Sequence, residues 1–286
     1  MTIERKPSWL KIKLSGGENY RNVKKVVSDN QLHTICQSGN CPNIGECWGL
    51  GTATFMILGE ICTRSCKFCA TQTGKPLPVN PKEPEKVARS VKLMKLNHCV
   101  VTSVDRDDLA DGGAEMWAKT IIAIKEQNPE TTIEVLLPDF KGKKEDLDKV
   151  LETNPQIAAH NLETVERLTP KVRSAAKYDR SLKVIEWISL SGIKTKSGIM
   201  VGLGETFDEV IETMQDLRNA GCQIMTIGQY LQPSHTHLPV AEYIHPVVFA
   251  KYKEEGIKMG FTLVESNPLV RSSYHAESDF KKIIDS

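Results

Sequence analysis

The chain has 286 residues, enough for one large α/β domain or two small ones, and its 40% apolar and 26% charged content is that of an ordinary soluble globular protein. A formal net charge of +1 leaves no overall field to recruit nucleic acid or an anionic membrane surface. No window approaches the run of about 18 apolar residues that a membrane span needs, and Met1 to Leu14 show neither a secretory apolar stretch nor an acid-poor transit pattern, so a reducing cytoplasm is the expected setting.

The first fifty residues lack any βα rhythm and read as an appended segment, residues 1–50. From Gly51 onward, β-branched runs alternate with amphipathic helical stretches. Thr54 to Leu58 is the first expected strand, with Val87, Val91 and Met94 then falling at helical spacing. Cys99 to Val104 is the second, followed by a helix marked by Trp117, Ile121 and Ile124. Ile133 to Leu137 is the third, leading to a helix over Lys143 to Thr153. Ile157 to His160 is a short fourth strand, with helical segments near Val165 and between Arg180 and Leu190. Lys196 to Val201 is the fifth, before a helix carrying Val210, Met214 and Leu217. Ile224 to Tyr230 is the sixth, then a polar loop, a helix from Val247 to Lys258 and a last extended piece over Phe261 to Val264. Repeated β-then-α units predict an α/β fold with a parallel sheet and right-handed crossovers. Six such units are too few for a closed eightfold barrel, so a partial, open TIM-like (βα)6 barrel is expected over 51–265. Its working residues would lie at the carboxyl ends of the strands. Residues 266–286 form a separate C-terminal segment.

Eight cysteines in a reducing compartment are seldom disulfides. Six of them crowd between Cys36 and Cys69, and that crowding asks for metal. Cys62, Cys66 and Cys69 form a C-x3-C-x2-C triplet directly after the first strand. Three soft thiolates on one loop can hold three corners of an iron–sulfur cubane and leave the fourth open. Zinc is the plain alternative, but structural zinc takes four closed ligands, and no nearby downstream His or Cys completes a set. A second triplet, Cys36, Cys41 and Cys47, lies just upstream in a tight loop with Gly39, Pro42 and Gly45. Two triplets point to two clusters. Cys99 and Cys222 read as small buried hydrophobes. His235 and His237 sit in the polar loop, with solvent-facing or gating roles favoured over metal binding.

The downstream triplet, with Phe68 before its last cysteine, resembles the radical S-adenosylmethionine superfamily. The upstream C-x4-C-x5-C spacing resembles that of lipoyl synthases. Further strings are similar to that family over nearly the whole chain: Lys6 to Leu10, Thr102 to Leu109 with Asp111 to Gly113, His160 to Thr164, Gly228 to Ser234, and Arg271 to Tyr274. Many superfamily members carry Gly-Gly-Glu after strand two. Here Ala114 follows Gly112 and Gly113, so Thr102 is the candidate for the cofactor amine. Gly198 to Glu205 approximates a superfamily string on strand five and is not a dinucleotide fingerprint.

The resemblance implies two 4Fe–4S clusters and S-adenosyl-L-methionine as cofactors. Cys62, Cys66 and Cys69 would hold the cluster that cleaves the cofactor, with Phe68, Thr102, Asn161, Glu163 and Arg173 around it. Asn161 and Glu163 could instead cap a helix, Arg173 could form a surface salt bridge, Asp107 and Asp108 could be a plain acidic turn, and His160 stands evenly between lining the site and not. Cys36, Cys41 and Cys47 would hold an auxiliary cluster that supplies sulfur. The resemblance assigns that cluster's fourth ligand to Ser273, with Ser272 as the alternative. The implied activity is radical insertion of two sulfur atoms at C6 and C8 of a protein-bound octanoyl-lysine, a sulfurtransferase reaction. Implied partners are octanoylated lipoyl carrier domains of 2-oxoacid dehydrogenases, the glycine-cleavage H protein, a ferredoxin- or flavodoxin-type electron donor and an iron–sulfur carrier; neither nucleic acid nor membrane is expected. A biotin synthase-like enzyme or a methylthiotransferase is the alternative within the class. The Arg271 to Tyr274 string and the upstream triplet count against both. A non-catalytic iron–sulfur or zinc scaffold is the alternative outside it, opposed by the βα series with polar strand ends.

Overall fold

The computed structural model describes residues 6–12 and 16–284; the rest of the Met1 to Leu14 stretch and the last residues of the C-terminal segment lie outside them. The N-terminal segment holds α1 (Glu18–Asp29), β1 (His33–Thr34), α2 (Ile35–Ser38) and α3 (Ile44–Gly49). Next come β2 (Thr54–Ile57), a two-strand loop ladder of β3 (Ile61–Cys62) and β4 (Gln72–Thr73), α4 (Glu83–Met94) and β5 (His98–Ser103). The middle of the chain forms α5 (Ala114–Gln127), β6 (Thr132–Leu136), α6 (Lys144–Leu151), β7 (Ile157–Ala159), α7 (Thr169–Val172) and α8 (Tyr178–Leu190). The remainder is β8 (Lys194–Val201), α9 (Phe207–Asn219), β9 (Ile224–Gln229), α10 (Pro246–Lys258), β10 (Leu263–Ser266) and α11 (Ala276–Ile284).

One sheet runs β1-β2-β5-β6-β7-β8-β9-β10. All its ladders are parallel except β1 with β2. The six expected strands are present in chain order, and the sheet stays open. It is longer than six strands because β10 adds in parallel to β9 and β1 adds antiparallel to β2. Two residues are too short a strand to leave a periodic signal. No helix among the described residues is long and apolar enough to cross a membrane.

Alternation along the strands sorts the side chains into two layers. Phe55, Ile57, Cys99, Val101, Ile133, Val135 and Ala158 pack with Val87, Val91, Trp117, Ile121 and Ile124 of the helices. Removing each large apolar side chain of this layer from water stabilises the fold by about 1.5–3 kcal/mol. The face turned away from the helices is polar where a site could lie, carrying Thr102, Glu134, Lys196 and Thr226, all buried. At the amino end of the strands, Lys196 pairs with Glu134 at 2.7 Å and Phe280 of α11 stacks on His98 at 5.2 Å. From the carboxyl end of β9, Asn267 to His275 runs across to Thr54, the first residue of β2. Pro268 accepts a hydrogen bond from Gln229 N, and Ser273 accepts one from Thr54. A Cβ at Gly228 would collide with the Val270 carbonyl oxygen, so glycine there lets the strap lie flat on β9.

Candidate active site

The loop that carries Cys62, Cys66 and Cys69 leaves β2 through left-handed Leu58 and Gly59 and is closed at its base by the β3–β4 ladder. Within it, Cys69 N donates to Cys66 O at 3.2 Å, and Arg64 N–H donates to the Cys62 sulfur at 3.4 Å. Three other elements hold the loop from outside. Lys67 N donates to Val172 O and Ser65 N to the Ser174 hydroxyl at 3.1 Å. The His237 ring reaches Cys69 O at 3.0 Å, and because a carbonyl only accepts, its Nε2 carries the proton. His237 thus clamps the loop, the position of His235 staying exposed. Beneath the loop, the buried guanidinium of Arg64 meets Asp107 through two 2.8 Å bonds, Asp139 at 2.8 Å and Asp105 at 3.3 Å. Burial disfavours this cation, but Asp107, Asp105 and Asp139 outweigh it and hold its pKa above the usual range. Asp107 is therefore an anchor rather than a plain turn residue, while Asp108 pairs with Arg106 at 2.9 Å.

Of the expected cofactor residues, Phe68 lies on this loop, and Glu163 and Arg173 lie near enough to its thiols for their charges to interact. Phe68 packs onto the apolar cluster built by β8, β9 and their helices. Thr102 spends its hydroxyl proton on Leu136 O at 3.1 Å, which leaves lone pairs free to accept from a cation. Asn161 donates from Nδ2 to Glu163 at 3.1 Å and to Ser272 at 2.7 Å. Glu163 lies in the left-handed region (φ 68°) and bridges to Ile199 of β8. Burial pushes its carboxyl up, against the pull of Arg173 and Asn161. Neither residue caps a helix. Arg173 is buried at 8% exposure, which rules out the surface salt bridge. It donates to Leu162 O and to Ser181. Burial lowers its pKa, against the pull of Glu163 and Cys66. His160 turns from the site toward α8, with both ring nitrogens hydrogen-bonded. Glu205, the last residue of the strand-five string, accepts from Gly202 N and Leu203 N and so stiffens a turn.

The second triplet has Cys36 on α2, Cys47 on α3 and Cys41 in the connection between them, with Thr34 capping α2 by accepting from Gln37 N. The strap lies against it. Asn43 donates to Leu269 O at 2.7 Å, and Tyr274 and His275 both reach Glu46 at 3.0 Å. Arg271 sends its charge to both Cys41 and Glu163. The two candidate serines part company here. Ser272 bonds Asn161 on the barrel side, whereas Ser273 accepts from Thr54 at 2.8 Å, and Thr54 lies beside Cys36.

The donor chemistry fits iron–sulfur clusters. Burial pushes the Cys62 thiol up to about 11, with Asp105 adding to the effect, and the Cys47 thiol to about 12, with Cys36 and Cys41 adding. Burial raises Cys36, Cys41 and Cys69 as well. Such thiols keep their protons until a metal supplies the compensating positive charge. Among the described residues no three His, Cys, Asp or Glu converge on a single ion. A cubane instead takes one thiolate per iron corner. The polar lining also fits an adenosyl cofactor. Asn161 Oδ1 is buried without a hydrogen-bond partner, and the missing Cβ of Gly198 keeps the space in front of it open. Cys99 and Cys222 are fully buried. Sequence reading overlooked Asp105, Asp139, Ser174 and Ser181. Only Arg64, a charge inside the triplet itself, left a visible signal.

Comparison with known proteins supplies the family. The Radical SAM superfamily profile matches residues 56–217, beginning after the upstream triplet and ending before the strap. The chain is 64% identical over 277 residues to the lipoyl synthase of Bacteroides fragilis, covering 97% of this chain and 96% of that protein. It is 63% identical over 277 residues to the lipoyl synthase of Bacteroides thetaiotaomicron, covering 97% and 98%. Among solved structures it is similar in fold to Streptococcus suis SuiB bound to S-adenosylmethionine, with a TM-score of 0.58 at 12% identity over 87% of this chain and 56% of that one.

Proposed function

This chain belongs to the lipoyl synthase family of radical S-adenosylmethionine enzymes, and on that premise we propose which of its residues do what. It is a sulfurtransferase that acts on a protein-bound octanoyl group with S-adenosylmethionine and 4Fe–4S clusters. When bound, the cofactors supply the radical that removes hydrogen from C6 and C8 of the octanoyl chain and the sulfur that replaces it, bonds too strong for acid–base attack. Cys62, Cys66 and Cys69 hold the cluster of the cleavage site. Thr102 and Arg173 grip the amine and carboxylate of the cofactor, Asn161 and Glu163 its ribose, and Phe68 flanks its adenine. Cys36, Cys41, Cys47 and Ser273 hold the auxiliary cluster. Residues 1–50 and 266–286 serve that second cluster, and 51–265 the first.

The observation that carries this reading is the strap: Ser272 touches Asn161 while Ser273 touches Thr54 beside Cys36, so one short segment links the proposed cofactor pocket to the upstream thiols. A hard oxygen ligand suits iron–sulfur less well than a thiolate, so a serine corner opens more readily when cluster sulfur is drawn off. We further assign a cytoplasmic setting, octanoylated lipoyl domains and the glycine-cleavage H protein as acceptors, a ferredoxin- or flavodoxin-type donor and an iron–sulfur carrier for resupply. The test is an anaerobic assay on an octanoyl-lysine peptide with mass detection of the product. Two sulfur atoms gained per octanoyl group are expected; cofactor cleavage with no sulfur gained would overturn the reading.

A further inference from the structure

Behind Arg173 lies a buried polar chain that the reaction does not use directly. His160 follows β7 and faces α8, with Nδ1 2.9 Å from Leu137 O and Nε2 3.0 Å from the Ser181 hydroxyl. Ser181, on the first turn of α8, also accepts from Arg173 Nη1 at 2.8 Å. All three side chains are buried: His160 at 3%, Ser181 at 0% and Arg173 at 8% exposure.

The donor and acceptor inventory fixes every proton in this chain. A carbonyl oxygen only accepts, so the imidazole proton sits on Nδ1, toward Leu137. A guanidinium only donates, so the Ser181 oxygen accepts from Arg173. The remaining Ser181 proton then points at the one acceptor left, the bare Nε2 of His160. The chain runs one way, from Arg173 through Ser181 and His160 to the backbone of the strand end, and it requires a neutral imidazole. Burial, with the Arg173 charge adding to it, lowers His160 to about 4, which keeps the ring neutral. A second bond from Arg173 to Leu162 O at 3.3 Å gives the guanidinium another fixed point. Its neighbours Val172 and Ser174 are both bonded to the cluster loop.

We propose that His160 and Ser181 are positioning residues that orient the Arg173 guanidinium toward the cofactor carboxylate. The proposal rests on the assignment of Arg173 to that carboxylate. A long cationic side chain gives up about 2 kcal/mol of rotamer freedom when it is fixed. The relay does that fixing before the ligand arrives, so binding need not. Aimed hydrogen bonding of a planar guanidinium also decides whether it meets a carboxylate with its fork or with one edge.

The experiment measures equilibrium binding of two ligands to the cluster-loaded, unreduced enzyme by dialysis: S-adenosylmethionine and its decarboxylated analogue. Without an electron donor neither is turned over, so affinity is read apart from activity. Ser181→Ala removes one hydroxyl and little volume. It is expected to weaken S-adenosylmethionine about tenfold, the size of one hydrogen bond to a charged group, and to leave the analogue within about twofold. His160→Asn keeps a donor toward Leu137 but removes the Nε2 acceptor, and should give the same pattern. The double variant should be no worse than either single one, since both break one chain. If Ser181→Ala binds both ligands as wild type does, or weakens both equally, the relay is refuted. Arg173→Gln separates the two levels. Loss of carboxylate preference in Arg173→Gln with none in Ser181→Ala sinks the relay alone. Preserved preference in Arg173→Gln sinks the assignment of Arg173 and the relay with it.

Discussion

The two thiol loops solve one problem in different ways. The Cys62–Cys69 loop is closed by its own β3–β4 ladder and seated on a buried cation, Arg64, with three carboxylates around it. Its supports, Val172, Ser174 and His237, all come from the barrel that also builds the cofactor site. The Cys36–Cys47 loop has two short helices and leans on a segment more than 220 residues away in sequence, through Asn43 and Glu46. On the proposed assignment, a loop that binds a cofactor repeatedly gains from rigid local closure, and a loop whose cluster is drawn down gains from a ligand that arrives on a separate strap and can leave with it.

The sharpest way to break that contrast is to disable one loop at a time. Cys66→Ala should abolish formation of 5′-deoxyadenosine and leave about four of the roughly eight irons that two cubanes require. Retained cofactor cleavage would mean that the downstream triplet is not the cleavage site. Cys41→Ala should do the reverse, with 5′-deoxyadenosine still formed and no sulfur inserted. Lipoyl product from that variant would end the division of labour.

Ser273→Ala tests the strap more finely. Cofactor cleavage should persist while fully formed lipoyl product is lost, and Ser273→Cys should hold a more inert cluster. Ser272→Ala breaks only the bond to Asn161 and should spare the auxiliary cluster. Wild-type product from Ser273→Ala with Ser272 intact would reduce the serine to a turn residue.

Rigidity of the first loop is a stability claim. Asp139→Asn leaves Arg64 short of a buried partner and should cost about 3 kcal/mol at neutral pH. The pH dependence has a definite sign. Burial works against the Asp139 carboxylate, yet Arg64 and its neighbours hold it well below the ordinary carboxylate range. Its contribution is fully present above the unfolded value, about 3.9, and is lost as pH falls through the lower folded value. The gap between wild type and variant in urea unfolding should therefore be widest near neutrality and narrow below about pH 4. A gap that does not change with pH would show that charge is not what Asp139 contributes.

The smallest effect is expected at the outer end of the strap. Glu46→Gln weakens half-exposed contacts to Tyr274 and His275 and should cost no more than about 1 kcal/mol. Lipoyl yield should stay near wild type. A collapse of yield would make the rim of the strap, and not Ser273, the decisive contact.

Much of this was written in the order of residues. Period-two and helical spacing located the six barrel strands and their helices, because burial on one or two faces leaves a local pattern. Thiols a few residues apart announced both triplets, since a short loop cannot carry them far from one another. What the sequence left open are relations between distant residues. Arg173 could be a surface ion pair until the fold buried it behind Ser181. His160 could line the site until its ring was seen to face α8. Ser272 and Ser273 are neighbours of identical chemistry, and the turn closed by Tyr274 N on Arg271 O sends one toward Asn161 and the other toward Thr54. Asp139 carries no motif at all. Local patterns follow from the backbone's own geometry, whereas the direction of a polar side chain is set by whichever partner the closed fold brings within about 3 Å of it.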